Sequence, residues 1–265
     1  MRKIPKALLH TRSFGKQIEY FEEIDSTNLE AKRNQEQVDG HGMVFLAEQQ
    51  SLGRGRMGRA WVSPKGTGIW MSLLLKPEFP TSQASQITLL AALAVADAIK
   101  KVTGLEGKIK WPNDIVVNQK KVCGILTEMG VIQDRIQYLV VGIGINVNTE
   151  HFPNEISDIA TSLKLEGGKI FAREEIVAEL LNYFEQYYDN FCKDGNLGQI
   201  IKYYNSILIN KGKKVKIVEN SKEDSFIGEA LGIDEAGRLL VRLDNGEVQT
   251  IVSGEVSVRG LFGYV

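Results

Sequence analysis

Gly53-Arg54-Gly55-Arg56-Met57-Gly58-Arg59, followed by Ala60-Trp61-Val62-Ser63-Pro64-Lys65-Gly66, is the segment on which the fold turns. Gly53, Gly55 and Gly58 keep the GxGxxG spacing of dinucleotide-binding folds. That fingerprint requires the loop to open into a helix. Residues 60–66 are not helical, and the chain has no GxxxxGK[ST] phosphate loop, so a doubly wound nucleotide fold is rejected. What remains is a loop whose glycines let backbone N–H groups face an anion. Arg54, Arg56 and Arg59 add fork-shaped donors suited to phosphate or carboxylate. A solvated arginine-rich turn that binds RNA loosely is the other reading, and the loop alone does not choose between them.

Outward from the loop, apolar runs alternate with helical segments. Residues 18–24 read as a strand, with Asp25 or Ser26 capping a helix through about Gln37. Residues 43–47 and 68–76 read as buried strands. Thr81 or Ser82 starts a helix that carries Ile87, Leu90, Ala91, Ala94, Val95 and Ala98 at helical spacing and ends at Lys100, Lys101 and Gly104. Segments 108–111, 115–117 and 122–127 look like paired strands with Asn118-Gln119-Lys120 as a turn. Residues 138–147 give a further strand and 174–191 an amphipathic helix. After Gly212 the texture changes to short strands with glycine turns at 228, 232, 237 and 246. A small β-barrel is expected there, with a boundary near 205–212.

Composition excludes several classes. Lys and Arg number 32 against 33 Asp and Glu, and a net charge of −1 is not the footprint of a protein that coats nucleic acid or anionic membrane. Cys123 and Cys192 are the only cysteines and form no CxxC, which points to a reducing cytoplasm. His10, His41 and His151 share no ligand spacing, so no protein-built zinc site is expected. No signal peptide is visible, and the longest apolar run, 87–99, is too short to span a bilayer. Residues 1–16 carry Arg2, Lys3, Lys6, Arg12 and Lys16 without an acid, and read as a solvated arm that docks or frays. Glycine is in excess, at 26 of 265 residues, and it is clustered.

Two further clusters carry polar chemistry. Lys110-Trp111-Pro112-Asn113-Asp114 reads locally as a turn. Taken with Lys121-Val122-Cys123-Gly124-Ile125-Leu126, it sets a cation beside an amide and a carboxylate. Asp114 could hold magnesium, Asn113 a phosphate oxygen, and Lys121 could neutralise an anion. In Gly142-Ile143-Gly144-Ile145-Asn146-Val147-Asn148, glycine inside a strand marks either a tight sheet or the close approach of a ligand.

As a set these segments resemble the biotin–protein ligases, also called biotin–[acetyl-CoA-carboxylase] ligases. The likeness lies in Ser26-Thr27-Asn28, Gln50 through Arg59, Trp61, Lys110 through Asp114, Lys121 through Leu126 and Gly142 through Asn146, in the family's order. Gly254-Glu255-Val256-Ser257-Val258-Arg259 looks like the closing strand of that family's C-terminal barrel. The resemblance implies an α+β protein: an arm over 1–16, a mixed-sheet catalytic domain of the biotin/lipoate ligase type over 17–208, and an SH3-like β-barrel over 209–265. It implies ATP, Mg2+ and biotin, formation of biotinyl-5′-AMP, and transfer to a lysine of a biotin carboxyl carrier protein.

By the same resemblance Lys121 bridges the biotin carboxylate and the α-phosphate, and Arg54 with Gly53 closes over the intermediate. Ser26, Thr27, Asn28, Gln50, Trp61 and Gly124 meet biotin. Arg56, Trp61, Asn113, Asn146 and Arg259 meet the nucleotide, and Asp114 is the magnesium candidate. Some relatives stack adenine on an aromatic side chain in the stretch that aligns with 159–163, and none is present there. Relatives that double as repressors carry a winged helix-turn-helix before the Ser-Thr-Asn segment. Only 25 residues precede Ser26, so neither repressor activity nor specific DNA binding is expected. A homodimer through sheet edges is open on the family pattern. A lipoate or octanoate ligase, and a non-catalytic nucleic-acid module, are the competing readings. Gln50 and the arginine loop argue against the first, and the charge balance argues against the second.

Overall fold

The computed structural model describes residues 4–37, 40–219, 225–253, 256–260 and 264–265. Arg2 and Lys3 of the arm, and Gly254 and Glu255 of the closing strand, lie outside the described residues. Seven strands form a mixed sheet: β1 Ile18–Phe21, β2 Met43–Ala47, β3 Gly68–Leu75, β4 Lys108–Lys110, β5 Asp114–Val117, β6 Lys120–Ile132 and β7 Arg135–Asn146. Their order is β1-β2-β3-β7-β6-β5-β4, with β1 and β2 parallel and the other pairs antiparallel.

Helices cover both faces, which is why β3 is buried along its whole length and reads as an apolar run broken only by Ser72. On one face lie α2 Ala84–Thr103 and α4 Arg173–Asp194, packed with Ile69, Met71, Leu73, Val141, Ile143 and Ile145 in the main core. On the other face α1 Thr27–Arg33 contributes Ala31 to a second cluster with Phe45, Leu74 and Val140. By length and composition α2 could cross a membrane, but it is the core helix of this fold: Leu90, Ala91, Leu93, Ala94 and Val95 are at most 1% exposed. It ends where Gly104 adopts a left-handed φ of 77°, the stop its glycine predicts.

Several boundaries differ from expectation for local reasons. The strand from Ile18 ends at Phe21, and α1 stops at Arg33, whose guanidinium is held back by Asp25 and Glu30. The turn before β6 is Asn118-Gln119 alone, both at positive φ, and Lys120 already pairs with Val117. A second two-residue turn, Gln133-Asp134, is also left-handed, so β6 runs well beyond 122–127, and β7 starts at Arg135, ahead of the expected 138, and ends at Asn146. Two short helices, α3 Leu163–Gly167 and α5 Ile201–Ile207, go beyond the expected elements. In the described part of the arm residues 12–14 dock rather than fray: the backbone N–H groups of Arg12, Ser13 and Phe14 all donate to the Glu185 carboxylate.

The last five strands, β8 Lys214–Glu219, β9 Ser225–Ile233, β10 Leu239–Arg242, β11 Val248–Ile251 and β12 Val256–Gly260, form an antiparallel sheet in the order β11-β10-β9-β8-β12. Gly237 and Gly246 make turns at positive φ. Gly228 and Gly232 instead lie inside β9, where Gly228 passes under Val241 and Arg242. Trp111, 1% exposed, ties this sheet to the larger one. Its Nε1 donates to the Gly237 carbonyl at 3.1 Å, and its backbone N–H donates to Asn210 Oδ1 at 2.9 Å.

Candidate functional site

Alternation along β7 builds the floor of a cavity. Leu139, Val141, Ile143 and Ile145 point into the core under α2 and α4, so Val140, Gly142, Gly144 and Asn146 share the opposite face. Side chains vanish from that face at 142 and 144, and other groups use the space. A Cβ on Gly142 would stand 2.1 Å from Asn28 Oδ1, and one on Gly144 would stand 2.5 Å from Trp61 Nε1. Gly124 of β6 pairs with Gly144 and would likewise meet Trp61, at 2.9 Å. The indole from the arginine–glycine loop therefore lies across a glycine floor made by two neighbouring strands. Glycine in these strands serves side-chain approach rather than a merely tight sheet.

One end of the cavity is polar and uncharged. Thr27 donates to Gln50 Oε1 from its backbone N–H at 2.9 Å and from its hydroxyl at 3.1 Å, while Gln50 Nε2 donates to Ser63 Oγ at 2.9 Å. Fully buried Ser72 lies 2.7 Å from Thr27 Oγ1 and donates to Asn28 Oδ1 at 2.6 Å. Asn28 Nδ2 donates to Glu128 at 2.8 Å, so that amide is spent on holding α1 to β6. Ser26 begins α1 but its hydroxyl makes no capping bond.

The other end is cationic, and a bulge creates it. Register shifts between Ile115 and Val116 so that Asp114 faces Gly124 while Val116 faces Lys121. Val122 and Cys123 both enter the core, and Lys121 and Gly124 come onto the same face. Lys121 Nζ lies 2.6 Å from Asp114 Oδ1 and 5.1 Å from the Trp61 ring centroid. The Tyr264 hydroxyl donates to Asp114 Oδ2. Arg56 donates to Asn113 Oδ1 at 2.9 Å and to the Ser253 carbonyl at 3.0 Å, so the loop reaches the smaller sheet. Burial lowers the Arg56 pKa. Lys110 is 7% exposed, and burial pulls its pKa down to about 8, with Asp114 opposing and Lys121, Arg259 and Arg59 reinforcing the shift.

One cavity of about 900 Å³ gathers Ser26, Thr27, Asn28, Gln50, Arg54, Arg56, Trp61, Asn113, Asp114, Lys121, Gly124, Asn146 and Arg259. Gly53 alone among the candidates is not part of its wall. It sits behind the loop, where a Cβ would meet the Trp61 carbonyl at 2.2 Å. Asn146 is buried and donates to the Thr161 carbonyl at 3.2 Å. Lys110, Ser72, Tyr264 and Phe152 escaped the reading of site residues. Lys110 was legible, being the first residue of its motif. Ser72 is one hydroxyl inside an apolar strand, and nothing local marks Tyr264. The stretch 159–163 carries no aromatic, but Phe152 lines the cavity from the segment before it. That stretch also pairs with β6: Lys121 N–H donates to the Ile159 carbonyl at 2.8 Å.

Magnesium finds no protein cage here. Among the described residues no three His, Cys, Asp or Glu side chains converge. Among the described residues Asp114 is the one acidic side chain in the cavity wall; its Oδ1 faces the Lys121 ammonium and its Oδ2 accepts from Tyr264.

A mixed sheet with a glycine floor, crossed by an arginine loop and closed by a small antiparallel sheet, defines a ligase class. Residues 20–146 match the biotin/lipoate A/B protein ligase family, and residues 212–259 match the biotin protein ligase C-terminal domain. The bifunctional ligase/repressor BirA of Bacillus subtilis is 37% identical over 252 residues, covering 94% of this chain and 76% of that protein. The biotin–[acetyl-CoA-carboxylase] ligase of Paracoccus denitrificans is 33% identical over 241 residues, 89% of this chain and 98% of that one. The biotin protein ligase from Aquifex aeolicus in complex with biotin and ATP superposes with a TM-score of 0.80 at 34% identity, covering 92% and 99% of the two chains. The chain belongs to the biotin protein ligase family.

Proposed function

We infer that this protein is a biotin–[acetyl-CoA-carboxylase] ligase. The observation that carries the reading is a single cavity that runs from the uncharged Thr27–Gln50 pair, over the glycine floor beneath Trp61, to the Lys121–Asp114 pair. Biotin suits that sequence of surfaces. Its ureido ring both donates and accepts, its chain is apolar, and its carboxylate is an anion. We assign the ring to Ser26, Thr27 and Gln50, the chain to Trp61 and Gly124, and the carboxylate to Lys121. Asn28 holds α1 in place for this site rather than meeting biotin.

In the first step a biotin carboxylate oxygen attacks the α-phosphorus of ATP. The new P–O bond gives biotinyl-5′-AMP, and pyrophosphate leaves with the electrons of the broken P–O bond. Both reactants are anions, so the step depends on cations fixed in advance. Lys121 would neutralise the carboxylate and α-phosphate together, and Arg56, Lys110 and Arg259 would meet the remaining phosphates. Asn113 is assigned to hold Arg56 at the nucleotide, and Asn146 to line the nucleotide side. Magnesium would enter as Mg·ATP and supply charge neutralisation at the phosphates. Asp114 is assigned to orient Lys121. In the second step the amine of a carrier-domain lysine attacks the mixed anhydride, forming an amide and releasing AMP. Arg54, exposed at the mouth, is assigned to close over the anhydride and keep water out.

The boundaries 17–208 and 209–265 are proposed for the two domains, and the cytoplasm for their location, where the free Cys123 and Cys192 suit a reducing medium. ATP–pyrophosphate exchange with magnesium and either biotin, lipoate or no acid tests the reading. Exchange is expected with biotin alone, and exchange with lipoate alone would replace it.

A further inference from the structure

Tyr264 reaches the cationic end of the cavity and touches two of its charged groups at once. Its hydroxyl donates to Asp114 Oδ2, and its ring centroid lies 3.4 Å from Lys110 Nζ. Burial pushes the phenol pKa up, and the Asp114 charge pushes it the same way, so the phenol keeps its proton and is the donor.

What this does for Asp114 follows from the charges nearby. Among the described residues one carboxylate, Asp114, stands among Lys121, Lys110 and Arg56, and it interacts electrostatically with the last two as well as pairing with the first. With Oδ2 unoccupied, the carboxylate could turn toward Lys110 or Arg56 and neutralise a cation that the phosphates need. The phenol takes that oxygen and leaves Oδ1 as the atom that pairs, with Lys121. Lys110 presents the complementary problem, since a buried ammonium is costly unless something faces it. Among the described residues no carboxylate pairs or hydrogen-bonds with its Nζ. The Tyr264 ring faces it with π density, which stabilises a cation without using up its donors.

We propose that Tyr264 is a positioning residue for the nucleotide phosphates: its two ends keep Lys110 and Lys121 charged, separate and available. The inference rests on the ligase reading and adds to it a residue from the C-terminal end of the chain.

The test compares the whole wild-type protein with Tyr264→Leu and Tyr264→Phe. ATP and biotin are varied separately in pyrophosphate exchange, and ATP is titrated calorimetrically without biotin. Tyr264→Leu loses both contacts and is expected to raise the KM and Kd for ATP roughly tenfold, the scale of a desolvated cation–π contact. The KM for biotin should stay within about twofold, because Tyr264 does not reach the Thr27–Gln50 end. Tyr264→Phe keeps the ring over Lys110 and should recover most of the ATP affinity, with a rise of about threefold remaining from the lost hydroxyl. A merely structural role would instead weaken both substrates together and lower the melting temperature. That result overturns the proposal, as does an unchanged ATP affinity in Tyr264→Leu. A tighter ATP affinity also overturns it, since the ring would then be obstructing the site. Absence of biotin-dependent exchange in the wild type would overturn the ligase reading alone, and the ATP titrations would still decide on Tyr264.

Discussion

Gly144 and Trp61 share one space: a Cβ at 144 would come within 2.5 Å of the indole Nε1. This contact joins two motifs that are far apart in the sequence, the strand glycines of β7 and the arginine–glycine loop. Gly144→Ala should lift the indole off the floor and narrow the biotin channel. Overpacking of this kind costs about 1–3 kcal/mol, or roughly a 5- to 150-fold loss of biotin affinity if the strain falls on the bound state. Calorimetric titration with biotin reads it directly, and an unchanged Kd would remove Trp61 from the channel wall.

Gly53 and Arg54 are neighbours with separable roles. A Cβ on Gly53 would collide with the Trp61 carbonyl at 2.2 Å and crowd Ser63 Oγ and Gln50 Nε2 at 2.8 and 3.2 Å. Gly53→Ser should therefore weaken biotin binding through Gln50 and also let the intermediate leak. Arg54→Ala leaves the backbone intact and should change only the leak. Release of biotinyl-5′-AMP, followed by chromatography during turnover without carrier protein, should rise in both variants, with biotin affinity falling only in Gly53→Ser. Identical behaviour of the two would mean that the loop acts as one unit.

The distribution of what was legible has a physical cause. Elements set by local chemistry read well: α2 stopped by Gly104, α4 by its apolar stripe, and the loop by its glycines and arginines. The features that make the site are non-local. Nothing in Lys121-Val122-Cys123-Gly124 announces a bulge, yet without it Lys121 and Gly124 would face opposite sides of β6. Gln133-Asp134 was missed as a hairpin turn because neither residue is glycine, although both adopt positive φ. Gly228 and Gly232 look like turns in sequence and are strand glycines, because a neighbouring strand and Asn205 fill their Cβ positions. Tyr264 meets Asp114 across a separation of 150 residues, which no local pattern encodes.

Lys121 carries the strongest expected effect. Its Nζ folds over Gly124, where a Cβ would stand 3.2 Å away, and points at Asp114. Lys121→Ala removes the fixed charge at the reacting phosphorus and should slow biotin-dependent exchange by roughly 10²–10³, the usual scale for one preorganised electrostatic contact. Biotin binding should fall much less, since the ureido end is untouched. Gly124→Ala should produce a milder version by crowding both Lys121 and Trp61. Full exchange activity in Lys121→Ala would move the first step to another cation.

Lys110 gives the reaction a pH dependence of predictable sign. Burial, opposed by Asp114 and reinforced by Lys121, Arg259 and Arg59, holds its pKa at about 8, against an ordinary 10.5. The free protein thus loses this cation as pH rises through about 8, and kcat/KM for ATP should fall there. kcat/KM for biotin at saturating ATP should not, because bound phosphates hold the proton on. Stability should move the other way. Between about 8 and 10.5 the folded chain holds fewer protons at this site than the unfolded chain, so unfolding free energy rises with pH in that window. Lys110→Arg keeps its charge throughout and should abolish the fall in kcat/KM for ATP. A wild-type profile that is flat to pH 10 for ATP would mean that Lys110 does not meet the phosphates.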